Sequence, residues 1–230
     1  MNRIGNAIGI FFLKALSYLP FWFLYGLSDI FSLALFHIIK YRREVVLINL
    51  RLSFPEKSQK EIYEIARVFY RHLADMILET IKGYSMSWES FTKRITFVGI
   101  EKMNEYYDKG KSIVLLGMHY NNWEWSATIQ RLMKHKSLLL YDPVRGNPQF
   151  EKYLLYIRER WGAEYIPVNK SARIVLDFHN RKIPAALGLG ADQRPATITR
   201  LWTVFLNQEA CFVPGPEKIE IGRASCRERV

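Results

Sequence analysis

The sequence predicts an α/β protein with a mostly parallel sheet, preceded by an apolar, membrane-associated helical segment. Three observations carry that prediction. Apolar side chains dominate Ile4 to Ile39, a helix-period pattern runs from Ser58 to Lys82, and after Gly99 short apolar runs alternate with helical segments. Alternation of strand-like and helical segments is the pattern of a parallel sheet flanked by helices.

The first segment, IGNAIGIFFLKALSYLPFWFLYGLSDIFSLALFHII, is interrupted by Lys14, Pro20 and Asp29. It therefore reads as two apolar helices broken at Pro20, not as one uncharged span of about 20 residues. Its downstream flank, Lys40-Tyr41-Arg42-Arg43, places the remainder of the chain on the cytoplasmic side by the positive-inside tendency. A cleavable secretory signal does not fit, because the apolar region is too long and no small-residue cleavage site comes after it. Next, Ser58 with Glu61 forms a capping box, and Ile62, Ile65, Ala66, Phe69, Leu73, Met76 and Ile77 recur at helical spacing, which predicts an amphipathic helix. His72 and Glu79 on it read as ordinary helix residues. Strands are expected at Ser112–Gly117, Ser137–Tyr141, Tyr165–Val168 and Pro184–Gly190, with helices at Asn147–Trp161 and Ser171–Arg181. The last dozen residues lose all apolar periodicity and read as a non-native tail. The expected organisation is a membrane anchor at 1–43, an α/β domain at 44–218 and that tail at 219–230.

Composition narrows the function classes. A chain of 230 residues can bury a core without disulfides, and only Cys211 and Cys226 are present. The 33 Lys+Arg against 22 Asp+Glu give a net charge of +11, which calls for an anionic partner. Aromatic residues make up 14% of the chain, and aromatic and basic residues together favour a membrane interface over a nucleic-acid groove. A non-catalytic, basic membrane-surface or nucleic-acid-binding protein stays open on composition alone.

The chemistry-bearing stretch is LLGMHYNNWEW, at Leu115–Trp125. His119 lies just past the carboxyl end of a buried strand, where open α/β sheets place ligand sites. Glu124, across a turn containing Asn121 and Asn122, is expected to bend back and accept the Nδ1 proton, leaving Nε2 as a base. Competing chemistries lack their motifs. Cys211 sits in an ordinary apolar stretch and Cys226 in the suspect tail, the histidines have no metal-ligand spacing, and nucleophile-elbow, phosphate-loop and dinucleotide-loop patterns are missing. No metal or cofactor is called for.

Several ordered blocks resemble the bacterial lipid A acyltransferases, the lauroyl/myristoyl transferase family related to lysophospholipid acyltransferases. They are the apolar start, RREVVLINLRLSFPEKSQKE at Arg42–Glu61, Glu79, VGIEKM at Val98–Met103 and HYNNWE at His119–Glu124. YDPVRGNPQFEKYL at Tyr141–Leu154, ADQRP at Ala191–Pro195 and the passage from Phe205 to Ile219 complete the series. The resemblance implies a glycerol-phosphate-acyltransferase-like α/β domain and a catalytic pair, His119 and Glu124, matching a histidine-x4-glutamate motif. It implies transfer of a fatty acyl chain from acyl carrier protein to a hydroxyl of a lipid A precursor, a Kdo-lipid IVA-like glucosamine lipid, at the cytoplasmic face of a bacterial inner membrane; the alternative acceptor is another membrane lipid, such as a lysophospholipid, a mannosylated lipid or glycolipid, or an amino-acid lipid. Substrate-binding roles fall on Asn122, Arg145, Asn147, Asp192, Gln193 and Arg194, with Arg145 nominated for the oxyanion and Asn122 as a further donor. Trp123 and Trp125 either line an acyl slot or pack beneath the site. Basic residues such as Lys134, Arg158, Arg160 and Arg173 would steer acidic partners. The chain departs from the pattern at Asp142, where many relatives carry arginine, and it is expected to be truncated, because relatives continue for several elements after GPEKI.

Overall fold

The computed structural model describes residues 3–190, 192–193 and 201–212. Its first layer is helical. Helix α1 spans Arg3–Ser17 and α2 spans Phe21–Leu33, separated at Pro20 as expected, because proline lacks an N–H and opens the next helix from an extended φ of −68°. A π-helical turn at Ala34–Ile38 extends α2, and among the described residues the resulting Phe21–Ile38 segment of 18 residues is the one helix long and apolar enough to cross a membrane. Helix α3 is Arg43–Ser53, and α4 is Gln59–Lys82, started by the capping box of Ser58 and Glu61.

Helix α2 packs along α4, and Leu35 and Phe36 of the π-helical turn, Leu47 of α3 and Ile62, Ala66, Tyr70 and Ala74 of α4 form one core. The buried stripe of α4 differs from the expected one: it runs Ile62, Ala66, Tyr70, Ala74, Leu78, while Phe69 is 43% exposed. The reason is steric and polar. Ala66 and Ala74 are fully enclosed in the stripe, where a larger side chain would push the packed elements apart, and the Tyr70 hydroxyl, drawn inward, donates to the Tyr41 carbonyl. The outer face of the layer stays apolar and exposed at Ile4, Ile8, Phe11, Phe12, Trp22, Ile30 and Leu33.

Short helices α5 (Trp88–Thr92) and α6 (Ile100–Asp108) lead into the sheet. Strands β1 (Ile113–Gly117), β2 (Lys136–Tyr141), β3 (Glu164–Pro167) and β4 (Ala185–Gly190) are all parallel, in the order β1-β4-β2-β3. Their crossovers carry a 3-10 helix at Trp123–Arg131, α7 (Pro148–Glu159) and α8 (Ser171–Asn180). Leu138, Ile166, Ala185, Leu187 and Leu189 form the sheet core, as near-continuous apolar strands covered on both faces do. A two-stranded antiparallel hairpin, β5 (Trp202–Phe205) and β6 (Gln208–Cys211), turns at Leu206-Asn207 with φ of 48° and 59°. The tail and the passage after Phe212 lie outside the described residues.

Candidate active site

The site arises from strand register. In the parallel pair β1–β4, Gly117 lies opposite Gly190, so the two strands end level with one another. His119 is two residues beyond one end and Asp192 two residues beyond the other. With neighbouring strands about 4.8 Å apart, equal offsets bring the two side chains within reach. Asp192 accepts from the His119 ring at Nδ1 (2.8 Å) and, through its other oxygen, from the His119 backbone N–H (2.7 Å). A carboxylate only accepts, so the neutral ring carries its proton on Nδ1 and leaves Nε2 free. Burial pushes the Asp192 carboxyl up, but the hydrogen bonds from His119 outweigh it and hold the group below the usual carboxylate range.

Two features fix the imidazole. A Cβ on Gly190 would lie 2.9 Å from His119 Cε1, so the ring occupies space that only glycine leaves at this strand end. The Trp123 ring meets it edge-on, with centroids 4.7 Å apart. Between them the chain reverses at Asn121, whose φ of 53° is a left-handed conformation that asparagine tolerates better than most residues. The ring remains partly accessible, at 30% of its side-chain surface, and its neighbours in the chain Leu116, Met118 and Tyr120 are exposed.

Glu124 does not meet the imidazole, a correction to the expectation from spacing. Its side chain turns from the second position of the 3-10 helix toward α7 and pairs with Arg158 through two hydrogen bonds, one of 2.7 Å from Nε. The side chains are 9% and 13% exposed. A buried carboxylate requires a charged, hydrogen-bonded partner, and Arg158 supplies both at close range, whereas His119 already has Asp192. Burial opposes the Arg158 charge, but the Glu124 bonds raise its pKa above the usual value. The guanidinium also lies over the rings of Trp123 (5.7 Å) and Tyr165 (5.3 Å), so the ion pair backs the tryptophan that borders His119.

The remaining expected residues separate. Asn122 donates from Nδ2 to Glu79 Oε2 at 2.6 Å, and its Oδ1 is enclosed without a hydrogen-bond partner among the described residues. Its amide is therefore turned toward α4. Arg145 is exposed in the loop after β2 and makes no ion pair among the described residues. Asn147 caps α7, accepting from the Phe150 N–H at 3.1 Å, and donates to Asn6 Oδ1 of α1 at 3.4 Å. Gln193 is exposed beside Asp192, and Arg194 lies outside the described residues. Trp125 packs beneath the site with Met86 and Phe91, which resolves its two expected roles in favour of packing.

Glu79 is the residue that spacing undervalued. One oxygen accepts from the Tyr25 hydroxyl at 2.8 Å, the other from Asn122, and its backbone carbonyl accepts from Trp125 Nε1 at 3.3 Å. Only its place among the family-like blocks marked it in the sequence. A family model described as bacterial lipid A biosynthesis acyltransferase matches residues 1–183. A protein of Haemophilus influenzae named lipid A biosynthesis acyltransferase is 24% identical over 160 residues, covering 70% of this chain and 50% of that protein. The chain thus spans about half the length of this curated relative.

Proposed function

The chain belongs to the bacterial lipid A biosynthesis acyltransferase family, and from that premise we propose that it moves a fatty acyl chain from acyl carrier protein to a hydroxyl of a lipid A precursor, with His119 as general base. The observation that carries the reading is the pairing of His119 Nδ1 with Asp192 at the carboxyl edge of the sheet, which leaves Nε2 free on a partly accessible ring.

Nε2 removes the acceptor hydroxyl proton as the oxygen attacks the thioester carbonyl carbon. The tetrahedral oxyanion then collapses, the C–S bond breaks, and the leaving thiolate takes the proton back from the imidazolium. Asp192 stabilises the imidazolium while it exists, and general-base help of this kind contributes roughly 10²–10⁴-fold. The attacking group is the acceptor itself, so no acyl-enzyme is needed. Arg145, exposed on the loop after the neighbouring strand β2, is the nominated partner for the oxyanion or an acceptor phosphate, and Gln193 flanks the same edge. The net charge of +11 suits an acidic carrier protein and a phosphorylated lipid at an anionic leaflet.

The proposed location is the cytoplasmic face of the inner membrane, supported by Lys40, Arg42 and Arg43 after the apolar segment and by its exposed aromatic side chains. Helix α2 lies along α4, where Asp29–Arg71 and Arg67–Glu64 pairs are exposed to solvent. Charges alongside favour a helix seated at the surface over one crossing the hydrocarbon.

The test is acyl transfer from acyl carrier protein by the full-length protein and its His119→Ala variant. Loss of turnover in the variant, with an added acyl mass on the acceptor in the wild type, is the expected result. Equal rates would remove the proposed mechanism.

A further inference from the structure

Glu79 is used by nothing in the chemistry above, yet it joins three elements. It sits in the last turn of α4, is partly buried, and divides its two oxygens between Tyr25 of α2 and Asn122 of the turn just after His119. A second contact takes the same path. Phe21, in the first turn of α2, packs edge-on against Trp125 at 6.4 Å, while Arg94 lies 3.8 Å from the Phe21 ring centroid. The start of α2 therefore bears on both ends of the segment from Asn122 to Trp125. The other face of α2 presents Trp22, Ile30 and Leu33 outward at 75%, 67% and 53% exposure.

The orientation of Asn122 is strongly specified. A carboxylate cannot donate, so Nδ2 must face Glu79, and this leaves Oδ1 enclosed without a partner among the described residues. An enclosed, unpaired carbonyl is unfavourable. The turn keeps this arrangement only while Glu79 holds the amide, and Glu79 is itself aimed by Tyr25. If α2 shifts along α4, the Tyr25 bond breaks, the carboxylate is free to rotate, and Asn122 is released three residues from His119.

We propose that Glu79 is a positioning residue that couples the seating of α2 on a lipid surface to the geometry of the His119 turn, so that turnover is faster on a bilayer than in dispersed detergent. The inference rests on the proposed function. Its physical basis is differential stability. In water the exposed apolar face of α2 favours any movement that hides it, and a bilayer removes that bias toward the released state. The coupling is limited by one hydrogen bond to a charged group, which corresponds to roughly 10-fold to 100-fold in rate.

The experiment uses the full-length protein with acyl carrier protein as donor and the acceptor lipid either in anionic phospholipid vesicles or dispersed in detergent. For Tyr25→Phe, which keeps the ring and removes one oxygen, kcat on vesicles is expected to fall about tenfold with KM and vesicle binding unchanged, and the vesicle-to-detergent rate ratio to approach one. Glu79→Leu is expected to do the same or more, and the double variant to be no worse than Glu79→Leu alone. Unchanged kcat in both variants, a loss confined to KM, or additive losses would overturn the coupling. Where Tyr25→Phe melts early, the kcat and KM of Glu79→Leu decide between these outcomes. His119→Ala separates the two claims: if it retains turnover, the function fails, and if it abolishes turnover while both other variants keep wild-type kcat, only the coupling fails.

Discussion

Asp192→Asn tests the arrangement on which the proposed chemistry depends. The wild-type carboxylate accepts at 2.8 Å from the His119 ring and at 2.7 Å from the His119 N–H. Asparagine replaces two acceptors with one acceptor and one donor. If its carbonyl faces Nδ1, its amide is forced against the backbone N–H. If its amide faces the ring, the proton moves to Nε2 and caps the base. The first arrangement forfeits a charge-assisted hydrogen bond, about 1.5–3 kcal/mol, and the second removes general-base help of roughly 10²–10⁴-fold. Since about 1.36 kcal/mol is tenfold in rate, kcat should drop by about 10² to 10³ with KM for both substrates nearly constant. The assay is the initial rate of thiol release from acyl carrier protein in the presence of acceptor vesicles. A variant within about threefold of wild type would refute the orienting role of Asp192. The same group leaves a stability signature. Burial opposes its charge but the His119 hydrogen bonds hold the folded pKa below the unfolded value of about 3.9. A pKa depressed by folding adds stability above the unfolded value, and that stability is lost as pH falls through the folded one. The stability that Asp192 adds over Asp192→Asn should therefore be full above the unfolded value and fall away as the pH drops through the lower, folded one.

Gly190→Ala places a methyl group 2.9 Å from His119 Cε1 and should displace the ring by several tenths of an ångström, lowering kcat roughly 10-fold to 100-fold with little change in Tm. A purely thermal effect with full kcat would contradict it. Arg158→Met leaves the Glu124 carboxylate, 9% exposed, without its cation, and chemical denaturation should show a loss of about 3–5 kcal/mol. Adding Glu124→Leu to it should recover most of that loss, and failure to recover would mean that the pair is more than a mutually compensated charge. Ser58→Ala removes the hydroxyl that accepts from the Glu61 N–H, while the residue-58 backbone N–H can still donate to the Glu61 carboxylate, and it should cost about 1 kcal/mol, read as a lower urea midpoint at constant m.

The fold was largely legible because its signals are local. Pro20 divides α1 from α2, Ser58 starts α4, and all four expected strands of the parallel sheet fall within one residue of their observed bounds at each end. Where packing decides, the pattern was less complete. The buried face of α4 is rotated toward Tyr70 and Ala74 because the π-helical turn after α2 packs there, and apolar spacing alone does not distinguish Phe69 from Tyr70. Helix α3 was visible only as a family-like block. Asn147 was identified, but its side chain caps α7 and touches α1, a role shared by many asparagine-proline helix starts.

The misplaced carboxylate shows where sequence spacing stops being informative. Five residues from His119 to Glu124 suggest a local pair, but the intervening 3-10 helix directs Glu124 toward Arg158, 34 residues further on. The carboxylate that does reach the ring is 73 residues away. Its signal was present in a different form: both strands end in glycine, and both place an ionisable residue two positions later, Gly117-Met118-His119 and Gly190-Ala191-Asp192. Converting that coincidence into a contact requires knowing that β4, the last strand of this sheet in the sequence, inserts between β1 and β2, with Gly117 opposite Gly190. Strand order is set by how the crossovers pack and not by any one segment. A slip of a single residue would also turn every side chain of the strand to the other face. The His119–Asp192 pair is therefore a property of sheet register, and the glycine that ends β4 serves it twice, by ending the strand level with β1 and by leaving room for the ring.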